Sequence, residues 1–361
     1  LPAQFTITQE AKQKTSPLII LGDRPLNLET PLERLTDWQT PTTLFFVRSH
    51  FGPPAVGLHA WSIAVDGLVE RPTRLPLELL QRFETVELSA VLQCAGNGRA
   101  YFDPVIPGLP WRDGAVGNAR WSGVRLRDVL RAAGIDTKST HVHVFGGDPP
   151  PHPKTPAFLR SLPIERALDP NTLLATRMNG NEIPVEHGGP VRLVVPGWTG
   201  NHWIKWLRKI VCSTEEAPGF FQRTGYRIPR EPMAPGVEVP PGDLLPVTWL
   251  NVKSLIVTPN PNARIAPGPT SVRGVAWTGE GRVSHVEVSL DNGPWKAATL
   301  EGPNEHFAWR AWRFEWDAIS GHHAIRARAT DSNNQTQPER TPWNKSGYLW
   351  NGIHEVNIEV T

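Results

Sequence analysis

Across residues 43–214 short β-prone runs alternate with short helical ones. Trp61-Ser62-Ile63-Ala64-Val65 and Val191-Arg192-Leu193-Val194-Val195 read as strands. The spacing predicts helices over 77–83 and 126–133, the second stopped by Gly134. Strand-rich sequence with scattered helices predicts a mixed α+β domain rather than a regular βαβ repeat. Ahead of it, residues 1–40 are polar and broken by proline, and predict an irregular arm.

The pattern changes after a proline- and charge-rich stretch, 215–245, that predicts a linker wrapping the surface. Val283-Ser284-His285-Val286-Glu287-Val288-Ser289-Leu290 alternates cleanly, Asp291-Asn292-Gly293 supplies a hairpin turn, and 295–300 returns. Residues 309–316 and 323–329 alternate likewise. The stretch 246–361 therefore predicts a β-sandwich of immunoglobulin-like type. The chain divides into an arm (1–40), an α+β domain with its linker (41–245) and the sandwich (246–361).

Composition narrows the picture. A length of 361 residues suits two domains. A net charge of +2 gives no electrostatic case for nucleic acid, and no stretch approaches the ~18 apolar residues of a membrane span. Fifteen tryptophans must mostly fill core or interface, while tyrosine is confined to three positions.

Only two cysteines occur, Cys94 and Cys212, which excludes a four-thiolate zinc site or iron–sulfur cluster. Cys212 lies in the β-like run Lys209-Ile210-Val211-Cys212-Ser213 and reads as core. Cys94 closes an apolar run, 86–92, and opens Ala95-Gly96-Asn97-Gly98-Arg99. A thiolate suits a soft metal, glycines admit a bulky group, and Arg99 can hold an anion beside it. Taken alone, Cys94 reads rather as a buried structural thiol, as most lone cysteines do.

The neighbouring motifs change that balance. Phe45-Phe46-Val47-Arg48-Ser49-His50, Gln93-Cys94-Ala95-Gly96-Asn97, Gly108-Leu109-Pro110-Trp111-Arg112-Asp113-Gly114-Ala115, Glu186-His187-Gly188-Gly189-Pro190-Val191-Arg192 and Lys205-Trp206-Leu207 occur in that order. The series resembles the sulfite oxidase family of molybdenum enzymes from about residue 28 onward. The resemblance implies a mixed α+β molybdopterin-binding domain followed by an immunoglobulin-like dimerisation domain. It makes Cys94 the protein's ligand to molybdenum. Phe46, Arg48, His50, Asp148, His187, Arg192 and Lys205 match positions that bind molybdopterin. Arg48, Arg99 and Arg310 match three arginines lining an anion pocket, with Arg313 as fallback, Trp111 matches its wall, and Tyr226 the active-site tyrosine. Singly, His187 reads as a turn residue, Lys205 and Arg310 as solvated strand charges, and Tyr226 as a surface ring.

The implied reaction is oxidation of sulfite to sulfate by oxygen-atom transfer, with one molybdenum-molybdopterin per chain. Without a Cys-x-x-Cys-His motif, and with no haem domain expected ahead of residue 28, electrons are expected to pass to a separate c-type cytochrome. A homodimer in the periplasm, its export signal removed, is the matching expectation. Two departures stand out: Gly98 and Pro107 occupy positions that are basic in the animal-type members. Alternatives are nitrate or sulfoxide reduction on the same scaffold, and a non-catalytic β-sandwich interaction protein; Tyr226 and Arg310 favour sulfite over nitrate.

Overall fold

A computed structural model describes residues 17–55 and 61–361. The first domain is built on two five-stranded sheets. One runs Asn181–Glu182, Leu173–Met178, Val116–Arg125 and Thr85–Gln93, with Arg192–Val194 also paired to Leu173–Met178. The other runs Thr73–Pro76, Ser62–Gly67, Leu207–Ser213, His141–Gly146 and Leu159–Pro163. The two sheets share one core, which includes Trp121, Trp203 and Cys212, all nearly excluded from solvent. Burial pushes the Cys212 thiol up to about 11, so it stays protonated as the core residue expected.

Helices are short. Leu126–Ala132 buries Leu126, Val129 and Leu130, and Gly134 follows at φ +71° as a left-handed stop. The helix expected over 77–83 is a single turn, Leu77–Leu80, because only Leu80 is buried and no side chain caps its N-terminus.

Part of the arm is ordered, contrary to the sequence reading. Ile19–Asp23 and Leu26–Glu29 pair as a hairpin, and Leu28 bridges Val47 through hydrogen bonds of 2.8 and 2.9 Å. Residues 1–16 of the expected arm lie outside the described residues. The linker also carries structure: a turn of helix at Phe220–Arg223, then Arg227–Pro229 paired with Leu244–Pro246.

The second domain consists of two sheets around one core. One runs Lys253–Thr258, Gly268–Trp277, Arg310–Ala318 and Thr299–Glu301. The other runs Arg264–Ile265, His354–Val360, Gly321–Asp331, Val283–Leu290 and Lys296–Ala297. Asp291 and Asn292 both adopt positive φ (52° and 57°), the geometry that a two-residue hairpin turn demands.

The domains are joined by packed apolar surface and by hydrogen bonds. A mixed cluster sets Leu35, Val91 and Val116 against Leu255, Trp277 and Trp309. Val91 N donates to Phe307 O at 2.9 Å along the free edge of Thr85–Gln93, and Trp277 Nε1 donates to Gln93 Oε1 at 2.7 Å. Trp38 and Trp309 exchange indole-to-carbonyl bonds of 3.1 and 2.7 Å. Lys253 and Asp113 form an ion pair at 3.2 Å with both side chains buried.

Candidate active site

Cys94 stands where the strand Thr85–Gln93 ends and its chain turns away. Its N–H donates to Ala115 O at 2.9 Å, and Asn97 Oδ1 accepts from Ala115 N at 3.0 Å. The Cys94 loop is thereby clamped to the segment carrying Trp111. Gly98 sits at φ +87°, and a Cβ there would lie 2.5 Å from Trp350 Cδ1. Any side chain there would strain the backbone and force Trp350 to shift, which favours glycine at this position.

Two cavities meet at Cys94, sharing Arg48, His50, Cys94 and Tyr226. The inner one adds Phe46, Asp148, His187, Arg192, Asn201 and Lys205. The outer one adds Arg99, Pro107, Trp111, Ser346 and Tyr348 among its walls. The structure therefore brings together every sequence-predicted site residue except Arg310.

Arg310 lines neither cavity. It begins the strand Arg310–Ala318 opposite Ala276, its Nε is buried without a hydrogen-bond partner, and the adjacent Trp309 is locked into the inter-domain cluster. Arg313 is no substitute, since it pairs with Glu301 at 2.8 Å and with Glu315. The second domain reaches the site through Ser346 and Tyr348 instead.

In the inner cavity cations outnumber anions. Arg192 donates to His187 O at 2.6 Å and Trp203 O at 3.0 Å, yet among the described residues its Nε has no partner and no carboxylate pairs with it. Burial pushes its guanidinium down to about 9. Lys205 donates to Ser49 Oγ at 2.6 Å and Glu186 O at 2.9 Å; burial, then repulsion from Arg192, depresses its ammonium well below the usual range. Gly188, at φ +99°, admits that lysine: a Cβ there would fall 2.7 Å from Lys205 Cβ. His187 is pushed down to about 3 by burial and by Arg192 and Lys205. Asp148 is raised to about 6 by burial, against the pull of Lys205. Asn201 Nδ2 is a further buried donor without a partner. Such uncompensated donors are costly unless an anion with many acceptors fills the space. A phosphate-bearing pterin meets that demand.

Between the cavities, Arg48, His50 and Tyr226 form one hydrogen-bonded chain. Arg48 donates to Asn27 Oδ1 at 3.1 Å and lies 2.9 Å from His50 Nδ1 and 3.3 Å from its Nε2. His50 is neutral because burial, reinforced by Arg48 and Lys205, depresses it. Its Nε2 is hydrogen-bonded to Tyr226 Oη at 2.5 Å. Tyr226 adopts φ +54° and its phenol is raised by burial, so it stays protonated. Arg160, fully buried, lies 5.4 Å from the Tyr226 ring centroid. The sequence reading missed Arg160, Asn27, Ser346 and Tyr348; only the scarcity of tyrosine pointed to the last.

Among the described residues no group of three or more His, Cys, Asp or Glu could ligate a metal ion. A metal at Cys94 therefore needs ligands from a bound group.

Comparison with known proteins agrees with this geometry. Residues 50–221 match the oxidoreductase molybdopterin binding domain and 246–361 the Mo-co oxidoreductase dimerisation domain. Sulfite oxidase of Gallus gallus is 38% identical over 93% of this chain and 77% of its own length. Mitochondrial sulfite oxidase of Rattus norvegicus is 36% identical over 95% of this chain, which spans only 66% of that relative. A nitrate reductase of Hordeum vulgare is 33% identical over 98% of this chain and 43% of its own length. The sulfane dehydrogenase SoxCD of Paracoccus pantotrophus superposes with a TM-score of 0.81 at 28% identity, over 93% of this chain and 87% of its own. On both the motifs and the site they build, the chain belongs to the sulfite oxidase family of molybdopterin oxidoreductases.

Proposed function

We propose that this protein oxidises sulfite to sulfate, SO3²⁻ + H2O giving SO4²⁻, two protons and two electrons, and passes the electrons to an external carrier such as a c-type cytochrome. The observation that carries the reading is the meeting of a lone cysteine, two arginines and a neutral His–Tyr pair at the junction of two cavities. In it Phe46, Arg48, His50, Asp148, His187, Arg192 and Lys205 hold the cofactor and Cys94 binds its metal. When bound, molybdenum-molybdopterin supplies the two-electron oxygen-atom transfer. The protein's part is to bind and orient the oxyanion. Arg48 and Arg99 offer forked donors matched to a small oxyanion. Tyr226, hydrogen-bonded to His50 Nε2, holds its hydroxyl at the junction of the two cavities, where it can bond the substrate oxygen. Trp111, fully buried, walls the outer cavity against water.

The second domain, read as an immunoglobulin-type sandwich, is proposed to form a homodimer, and the chain to work in the periplasm. Among the described residues no helix is long and apolar enough to cross a membrane. Nitrate reduction is the second reading, favoured by the Hordeum vulgare relative. Tyr226 and Arg310 favour sulfite by resemblance, although Arg310 lines neither cavity. A steady-state assay of molybdenum-loaded protein with sulfite, comparing cytochrome c, ferricyanide and oxygen as acceptors, tests the proposal. Sulfite turnover at one molybdenum per chain is expected; nitrate turnover without sulfite turnover would replace it with the second reading.

A further inference from the structure

Tyr348 holds a place that no catalytic assignment explains. Its ring stacks on Tyr226 with centroids 5.1 Å apart and planes 9° from parallel. On the same ring, the Arg99 guanidinium carbon lies 5.3 Å from the centroid. One side chain of the second domain thus touches both the candidate proton donor and the candidate anion-binding arginine of the first.

The segment carrying it is built to stay put. Asn344 Oδ1 accepts from Tyr348 N and its Nδ2 donates to Tyr348 O, both at 3.0 Å. Leu349 N donates to Ala95 O at 2.9 Å, directly after the cysteine, and Asn251 Nδ2 donates to Leu349 O at 3.0 Å. Ser346 O accepts from Arg99 Nε at 3.1 Å, while Leu109 O accepts from its Nη1 at 3.3 Å. Three glycines clear a channel for the same arginine. A Cβ on Gly96, Gly108 or Gly347 would lie 2.8, 2.9 or 2.7 Å from Arg99 atoms. No carboxylate forms an ion pair with Arg99 among the described residues, so carbonyls, glycine backbone and the Tyr348 face define where its charge sits.

We propose that Tyr348 is a positioning residue that sets Arg99 and Tyr226 jointly, making the second domain part of the active site. Arg99 retains its flexible stem and needs a lateral wall; the Tyr348 π-face supplies one and attracts the cation. Parallel stacking fixes the Tyr226 ring plane, and with it the direction of its hydroxyl. The ring face does both tasks, so the Tyr348 hydroxyl is dispensable.

The inference uses the proposed sulfite reaction only for its kinetic readout, and a crystal structure tests it without that reaction. Tyr348→Phe should keep kcat, KM and their pH profiles within about twofold of wild type. Tyr348→Ala should raise KM for sulfite about tenfold, as expected for one lost cation–π contact, and shift the pH profile of kcat. Both variants should retain one molybdenum per chain. In the crystal structure of Tyr348→Ala, the Arg99 guanidinium and the Tyr226 ring should leave their wild-type positions. Unmoved Arg99 and Tyr226 side chains, or a Phe variant as impaired as the Ala variant, would overturn the proposal. Displaced side chains in a protein whose wild type turns over no sulfite would support it while removing the sulfite reading.

Discussion

His50 shows how a single group can organise a proton chain without carrying charge. Its Nδ1 faces Arg48 and its Nε2 bonds Tyr226 Oη, so the neutral ring links the arginine to the phenol. Tyr226→Phe removes the hydroxyl and leaves His50 Nε2 without that partner in a buried site. A fall in kcat/KM of about a hundredfold is expected, with molybdenum content unchanged; steady-state kinetics on metal-analysed protein checks it. Glu29 presents the opposite case. Its Oε1 accepts from Arg112 N at 2.8 Å and Gly114 N at 2.9 Å, yet burial, helped by Asp113, raises its carboxyl to about 7. The folded protein then keeps this proton over a pH range in which the unfolded chain loses it. Stability should therefore fall as pH rises from about 4.5 to about 7. Glu29→Gln keeps an acceptor without the charge. Its melting temperature should gain on wild type between pH 5 and pH 8, by the equivalent of up to about 3 kcal/mol; an equal difference at both pH values would show that Glu29 does not titrate as argued.

Among the elements, the turn after Cys94 is the most constrained. Gly98 combines a left-handed backbone with a Trp350 side chain pressed on its α-carbon. Gly98→Ala is expected to cost about 2–4 kcal/mol, from strain at positive φ and from overpacking together, read by urea unfolding. Much of this element was legible in the sequence. The two glycines and the asparagine after an apolar strand announced a tight loop, and the motif order placed Cys94, His187, Arg192 and Lys205 around one cavity. Arg310, assigned by resemblance, lines neither cavity; a match by order along the chain does not say how far along its strand each arginine lies. The segment 344–349 was invisible for the converse reason. It has no periodicity, and its course depends on Gly347 and Leu349 at φ +62° and +60° and on the Asn344 side chain. The hairpin Ile19–Asp23 to Leu26–Glu29 was missed because it is stabilised by its pairing with Val47 rather than by its own alternation.

At the scale of the molecule, the two domains share a buried charge pair as well as apolar surface. Burial alone would raise the Asp113 carboxyl, but Lys253 and His354 from the second domain outweigh it and hold the group well below the usual range. Tyr101 Oη adds a donated hydrogen bond of 2.5 Å to Asp113 Oδ2. Lys253→Met strands part of that charge, and a loss of about 3–5 kcal/mol is expected. Asp113→Asn in the same chain should recover most of the loss, and scanning calorimetry of the single and double variants checks both. Recovery fails if the pair contributes nothing across the domain boundary. A two-domain layout was readable from the change in strand pattern after residue 245; the depth of the join was not, because Leu35, Trp38, Asp113 and Lys253 lie in segments whose local pattern gives no hint of a distant partner.

The strand that delivers Cys94 forms one border of its sheet, and Phe307 occupies part of that border through the Val91 amide. Stripped of the second domain, Thr85–Gln93 would present unsatisfied backbone donors and acceptors along a run that includes buried Ala90, Val91 and Leu92. Such an edge recruits other chains. Docked, the second domain covers part of that edge beside Cys94 and so withholds it as a template for other chains.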